Sequence, residues 1–237
     1  AMLGISEDTM IEKVVYNEYN PFVFPIIKML LEQDKRKLIQ SIEDTIRENM
    51  LDNTKKEEYL EFRKKYNYIQ KTPLNLFVPH MFAFQNLIRF NSKFEFNTPV
   101  GNAGYNEGLK QRIMDFRAKA PILELQQGSF ADLDINKFEK GSVFYFDPPY
   151  LITTAEYNDG KRGLKGWDSD IEAELLSFLR RIDKNGQYFM LSNVIEHQGK
   201  VNHMLKEWVD THGYTVVEIG KTGSRYPRTE VLVKNFE

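Results

Sequence analysis

The chain contains no cysteine. This removes thiol nucleophiles, disulfide staples and thiolate-held zinc, and it fits a reducing compartment. Histidine is almost as scarce: His80, His197, His203 and His212 are the whole complement, scattered and without a ligand spacing such as HExxH, so no metal is expected. No apolar stretch approaches the roughly 18 residues of a membrane span, and the first residues lack the basic-then-apolar pattern of a secretory signal. No membrane partner is expected, and the chain reads as cytoplasmic. Repeats and low-complexity segments are also lacking. Charge of one sign is not in excess either, since 32 basic and 34 acidic residues leave a net −2. A polyanion would therefore have to be met by a local basic face and not by the field of the whole molecule.

At 237 residues the chain stands at the upper edge of one domain or the lower edge of two, and 41% hydrophobic with 13% aromatic residues can bury a sizeable core. Residues 13–16 form an apolar, β-branched run that ends in the polar turn Asn17-Glu18-Tyr19-Asn20, followed by an amphipathic stretch over 21–32. Between 34 and 70 the apolar positions Leu38, Ile39, Ile42 and Ile46, then Tyr59, Phe62 and Tyr66, have helical spacing with charges between them, which predicts two helices. Residues 73–104 are rich in Phe, Asn and Pro and read as a loop-rich subregion with a basic edge.

From about residue 108 helix and strand alternate. The pattern predicts helices over 108–118, 170–182 and 200–211, and strands over 122–125, 143–146, 188–191, 215–219 and 229–235. That rhythm predicts a mostly parallel α/β sheet with a hairpin at its C-terminal edge, in which ligands sit beyond the C-terminal ends of the strands.

The run Val143-Phe144-Tyr145-Phe146 reads as a buried central strand that delivers Asp147-Pro148-Pro149-Tyr150 to that ligand edge. The two prolines lock φ and donate no N–H, so the carbonyls after the strand are rigid acceptors. A carboxylate beside rigid carbonyls suits an amino group, and Tyr150 offers a flat face for a planar base. A bare Pro-Pro would be an ordinary turn; the full tetrapeptide after an apolar strand favours a site.

This tetrapeptide resembles the DPPY signature of amino-methyltransferases that use S-adenosylmethionine, in particular the Dam-like adenine-N6 DNA methyltransferases. Other segments are similar to that family along most of the chain: Asn17-Glu18-Tyr19-Asn20; Tyr59-x-x-Phe62-Arg63-x-x-Tyr66-Asn67; Arg89-Phe90-Asn91; Phe96-Asn97-Thr98-Pro99-x-Gly101; Leu191-Ser192-Asn193-Val194; and Arg228-x-Glu230-Val231-Leu232-Val233-x-Asn235. The resemblance implies a Rossmann-type methyltransferase sheet, with core segments over 1–33 and 108–237 and a helical, loop-rich target-recognition insert over 34–107.

The same resemblance implies that S-adenosylmethionine is the methyl donor, held by Asn17 and Glu18 at the ribose, by Ser129 and Phe130 near the adenine, and by Asp147. Many relatives carry Asp where Ser129 stands, and Phe130 alone reads more readily as core than as ligand wall. Asp147, Pro148, Pro149 and Tyr150 are the implied catalytic residues. Double-stranded DNA is the implied partner, and a cognate restriction endonuclease is compatible with it. Arg89, Asn91 and Asn97 are candidates for reading bases, although Asn97-Thr98-Pro99 also fits an Asx turn. Lys161, Arg162, Arg225 and Arg228 are candidates for phosphate contacts, since they lie in loops containing Gly or Pro beyond strands. Tyr157, Asn158 and Trp167 stand where the family carries a substrate-covering loop.

One departure stands out. The family's glycine-rich Phe-x-Gly-x-Gly motif should precede Asn17, and only Gly4 does. Ala1 before Met2 reads as a tag scar, so a truncated chain is one expectation. A catalytically dead DNA-binding subunit is another, and within the enzyme class RNA adenine or cytosine N4 is the alternative target.

Overall fold

The computed structural model describes residues 11–117, 122–153, 166–222 and 228–237. The chain divides into two compact units, Ala1–Ser129 and Phe130–Glu237.

In the first unit, β1 (Lys13–Glu18) and β2 (Ile122–Gln127) pair in parallel, from Lys13 opposite Ile122 to Glu18 opposite Gln127. Five helices among the described residues accompany them: α1 (Val23–Glu32), α2 (Lys35–Glu48), α3 (Lys56–Tyr68), α4 (Pro73–Phe82) and α5 (Glu107–Asp115). Side-chain caps start three of these, with Asp34, Thr72 and Asn106 accepting from Lys37, Asn75 and Leu109 N–H. The helical spacing read from the sequence buries Leu38, Ile39 and Ile42 of α2 and Tyr59, Phe62 and Tyr66 of α3 in one core with Leu76, Val78, Phe90 and Phe96.

Helix α4 falls where the sequence predicts loops. Pro73 occupies the first turn, where a missing N–H costs nothing, Thr72 caps it, and Leu76, Phe77, Val78, Met81 and Phe82 are buried. Burial of that apolar run outweighs the break signal of Pro79 inside the helix.

After α4 the chain folds back on itself through the bridges Ala83–Val100 and Phe90–Phe96. Helix α3 fastens this loop. Tyr59 Oη donates to the Thr98 carbonyl at 2.8 Å, Arg63 donates to the Asn97 and Thr98 carbonyls at 3.3 and 3.1 Å, and the Asn67 amide clasps both backbone groups of Phe96. Gly101 must be glycine here: a Cβ would lie 2.7 Å from Phe84 Cα and 2.8 Å from the Ala83 carbonyl oxygen.

The second unit is built on a four-stranded sheet of order β3-β4-β8-β7, comprising β3 (Val143–Phe146), β4 (Tyr188–Val194), β7 (Thr215–Thr222) and β8 (Arg228–Lys234). Strands β3 and β4 are parallel, and β8 runs antiparallel to both β4 and β7. The sheet is therefore mixed and not mostly parallel, because the final hairpin folds back and slots its second strand in beside β4. A small hairpin, β5 (Glu196–His197) with β6 (Lys200–Val201), precedes the last helix. Helices α6 (Ser169–Lys184) and α7 (His203–His212) pack Leu175, Phe178, Leu179, Ile182, Leu205 and Val209 against Phe144, Phe189, Leu191, Val231 and Val233.

Strand β3 is not the buried central strand its composition predicts. Among the described residues it pairs with β4 alone, and while Phe144 is buried, Val143 and Tyr145 on the opposite face are 53% and 43% exposed. A continuous apolar run does not distinguish burial on two faces from burial on one. No described helix is long and apolar enough to cross a membrane.

Candidate active site

Asn17 and Glu18 are the last two residues of β1, not a turn after it. Asn17 Nδ2 donates to the Gly128 carbonyl at 2.9 Å, and Gly128 N–H donates to the Glu18 carbonyl at 3.2 Å, so the end of β1 is laced to the turn that follows β2. The half-buried Glu18 carboxylate is held at both oxygens: Oε1 accepts from Asn20 N–H at 2.9 Å and Oε2 from Tyr16 Oη at 3.0 Å. Each oxygen keeps a second lone pair. Two aimed acceptors at a strand end suit a vicinal diol. Burial first, then the Glu18 charge, pushes the Tyr16 phenol well above its ordinary range. Asn20 in turn accepts from Phe22 and Val23 N–H and closes the bend into α1.

Ser129 ends this unit. Phe130 begins the next and packs into its core margin, its ring centroid 5.7 Å from that of Phe178 and 6.2 Å from that of Trp167.

In the second unit β3 ends at Phe146 and presents Asp147 to solvent. Tyr150 folds back over it. The phenol donates to Asp147 Oδ1 at 3.2 Å and shares a 3.0 Å hydrogen bond with Ser192 Oγ, while Thr153 donates twice to the Tyr150 carbonyl and closes the turn. No hydrogen bond from a described residue ends on the Pro148 carbonyl. Among the described residues neither that rigid oxygen nor Asp147 Oδ2 accepts a hydrogen bond, and both can face an incoming group.

A buried acid braces the neighbouring strand. Glu172 of α6 is fully buried and accepts from Trp167 Nε1 at 2.6 Å, Asn202 Nδ2 at 3.1 Å and Asn193 Nδ2 at 3.3 Å. Burial pushes its carboxyl above the ordinary range against the pull of those three donors. Trp167 is thereby fixed at the end of the segment that leads from Tyr150 into α6.

The residues expected to read bases are largely engaged internally. Arg89 Nε donates to Asn97 Oδ1 at 3.0 Å, and Asn91 uses its amide on Glu95 Oε2 at 2.6 Å while its Oδ1 accepts from Lys93 and Glu95 N–H. Both asparagines shape the loop that α3 fastens. Arg228 opens β8. Lys161, Arg162 and Arg225 lie outside the described residues, as do Tyr157 and Asn158.

Sequence reasoning missed Tyr16, Ser192 and Glu172. Each had a signal: Tyr16 stands two residues before Glu18 on the same face of a strand, Ser192 breaks an apolar strand, and Glu172 falls on the helical stripe of Leu175, Leu176 and Leu179.

A model of the family described as D12 class N6 adenine-specific DNA methyltransferase matches residues 4–222. The chain is similar to modification methylase LlaI of Lactococcus lactis subsp. lactis, with 47% identity over 96% of the chain and 37% of that protein. It is also similar to modification methylase StsI of Streptococcus sanguinis, with 33% identity over 95% of the chain and 36% of the relative. Type II methyltransferase M.FokI of Planomicrobium okeanokoites shares 30% over 94% of the chain and 36% of its own length. The chain thus spans little more than a third of the length of these curated relatives. With the family match running through both units and nearly the whole chain aligned to each relative, the chain belongs to the D12 class N6 adenine-specific DNA methyltransferase family.

Proposed function

We propose that the chain transfers a methyl group from S-adenosylmethionine to the exocyclic N6 of adenine in DNA. The observation that carries this reading is the exposed Asp147 carboxylate at the end of an apolar strand, with one oxygen engaged by Tyr150 and the rigid Pro148 carbonyl next in the chain. When bound, S-adenosylmethionine supplies an electrophilic methyl group on a sulfonium. The adenine amino nitrogen is a poor nucleophile because its lone pair is delocalised into the ring. Asp147 and the Pro148 carbonyl accept hydrogen bonds from the two amino hydrogens, which localises that lone pair and aims it. The N–C bond forms as the sulfonium C–S bond breaks to leave the thioether, and the amino nitrogen then sheds one proton, so the contribution of these residues is positioning plus electrostatics. Adenine inside a duplex is out of reach. The base is therefore flipped out and stacked on Tyr150, whose hydroxyl is already tethered.

On this reading Glu18 and Asn17 hold the ribose end of the donor, and Ser129 and Phe130 meet its adenine. The doubly held Glu18 carboxylate fits that ligand, since a diol donates two hydrogen bonds to two aimed oxygens. We read the sheet as Rossmann-type and residues 34–107 as a target-recognition insert within a core of 1–33 and 108–237. In that insert Arg89, Asn91 and Asn97 are the base-reading residues, the asparagines also holding the loop's shape, and Lys161, Arg162, Arg225 and Arg228 meet phosphates. The relatives' description as modification methylases makes a companion endonuclease part of the proposal.

The test is incubation with methyl-labelled donor and unmethylated duplex DNA, followed by digestion to nucleosides. Label in N6-methyladenine supports the proposal. Label in N4-methylcytosine, or only in an RNA substrate, replaces it, and DNA binding without label in any nucleoside returns the chain to a binding role.

A further inference from the structure

We propose that Ser192 is a positioning residue for the acceptor end of the site: its hydroxyl holds the Tyr150 phenol on Asp147 Oδ1 and so fixes the stacking ring and the carboxylate together. The functional half of this proposal rests on the methyl-transfer reading above. Strand register puts the serine where it is needed. Phe146, the last residue of β3, pairs with Leu191 of β4, so Ser192 stands one step on, beside Asp147. Tyr145 pairs with Met190, and Ser192 is two residues further along β4 on the same face as Tyr145. The serine hydroxyl meets the Tyr150 phenol at 3.0 Å, and the residue is only 5% exposed.

Proton counting gives the chain a direction. A carboxylate can only accept, so Tyr150 donates to Asp147 at 3.2 Å, and the Tyr150 oxygen accepts from Ser192 at 3.0 Å. Ser192 gives its one proton to that oxygen. The two hydroxyls donate in one direction, Ser192 to Tyr150 and Tyr150 to the carboxylate, an order in which one bond polarises the next. Asp147 Oδ1 is thereby occupied, and among the described residues no hydrogen bond is made to Oδ2, which is left for the substrate amino group. Any residue without a hydroxyl at 192 would remove the donor to the Tyr150 oxygen and release the Tyr150 ring to turn away from the carboxylate.

Two measurements on the full chain test this. In the first, 3-fluorotyrosine is placed at position 150 and its fluorine resonance is followed in solution. Ser192→Ala should shift the resonance and Ser192→Thr, which keeps the hydroxyl, should leave it close to the parent; an unmoved resonance in Ser192→Ala overturns the tether without any need for turnover.

The second is a kinetic cycle. Ser192→Ala should lower kcat about 10-fold at unchanged KM for the donor, Ser192→Thr should recover most of that loss, and Ser192→Ala should cost nothing further in a Tyr150→Phe background. A purely structural serine would give additive losses in the cycle, and that result overturns the positioning role. A shifted resonance with no turnover in the parent chain instead overturns the methyl-transfer reading and, with it, the functional half of this proposal, while the tether stands.

Discussion

Replacing Glu18 by Ala should weaken binding of S-adenosylmethionine about 100-fold. The magnitude follows from the geometry of the carboxylate. Oε1 is engaged by Asn20 N–H at 2.9 Å and Oε2 by Tyr16 Oη at 3.0 Å, which leaves one lone pair on each oxygen for one ribose hydroxyl each. Hydrogen bonds to a charged acceptor are worth about 1.5 to 3 kcal/mol each. Glu18 is only half-buried, so water competes and the lower figure applies, giving about 3 kcal/mol for the pair and hence about 100-fold. Calorimetric titration measures this directly. A donor analogue lacking the ribose 2′-hydroxyl makes the assay specific: the parent chain should lose about 10-fold with the analogue, and Glu18→Ala should not distinguish the two ligands. Tyr16→Phe should fall between the parent and Glu18→Ala. Affinity within a few-fold of the parent, or a variant that still discriminates the analogue, would refute the assignment of Glu18 to the ribose.

Other outcomes follow from the packing and charge of the two units. Gly101→Ala should cost at least about 2 kcal/mol in urea denaturation, because the new methyl group meets backbone at 2.7 Å and not a movable side chain; a loss under about 0.5 kcal/mol contradicts the close approach. Burial alone would raise the Asp183 carboxyl, but Asn235, Tyr214 and Arg180 together hold it below the ordinary range. The stability it contributes is therefore present above the unfolded carboxylate range and lost as pH falls through the folded value. Asp183→Asn should be about 1 to 2 kcal/mol less stable at pH 7, and the gap should close in acid, whereas a gap independent of pH contradicts this. Replacing Lys161 and Arg162 should reduce the slope of log affinity for DNA against log salt by about 2, and an unchanged slope removes them from the phosphate contacts.

The sequence foretold the elements that have both periodicity and punctuation. Helix α2 is legible in the 3.6-residue spacing of Leu38, Ile39 and Ile42 behind the Asp34 cap, and the bounds of β3 are those its apolar run predicts. Helix α4 was hidden because Pro73, Asn75 and Pro79 are turn-forming residues by local rule, and only burial in a core assembled from distant segments makes that stretch helical. Strand order was hidden for a similar reason: nothing local to residues 228–234 says that β8 lies next to β4 and not at the sheet edge. At the candidate site the chemistry-bearing residues Glu18 and Asp147 were legible as acids at strand ends. Tyr16 and Ser192, whose hydroxyls bond to Glu18 and to Tyr150, were not, since those contacts depend on pleat and register and not on residue type. Asn91 and Asn97 are legible as base-reading residue types, and their hydrogen bonds within the loop are not.

The central claim is that Asp147 accepts a hydrogen bond from the amino group of the target adenine. The most direct measurement is the single-turnover rate of methyl transfer to N6 of adenine in duplex DNA by Asp147→Ala, with donor affinity and thermal stability measured on the same preparation. Asp147 is exposed at a strand end, so the fold should survive. Removing one such electrostatic contact should lower the rate about 100-fold to 1,000-fold. A variant that is folded, binds the donor and transfers methyl groups at nearly the parent rate would contradict the account.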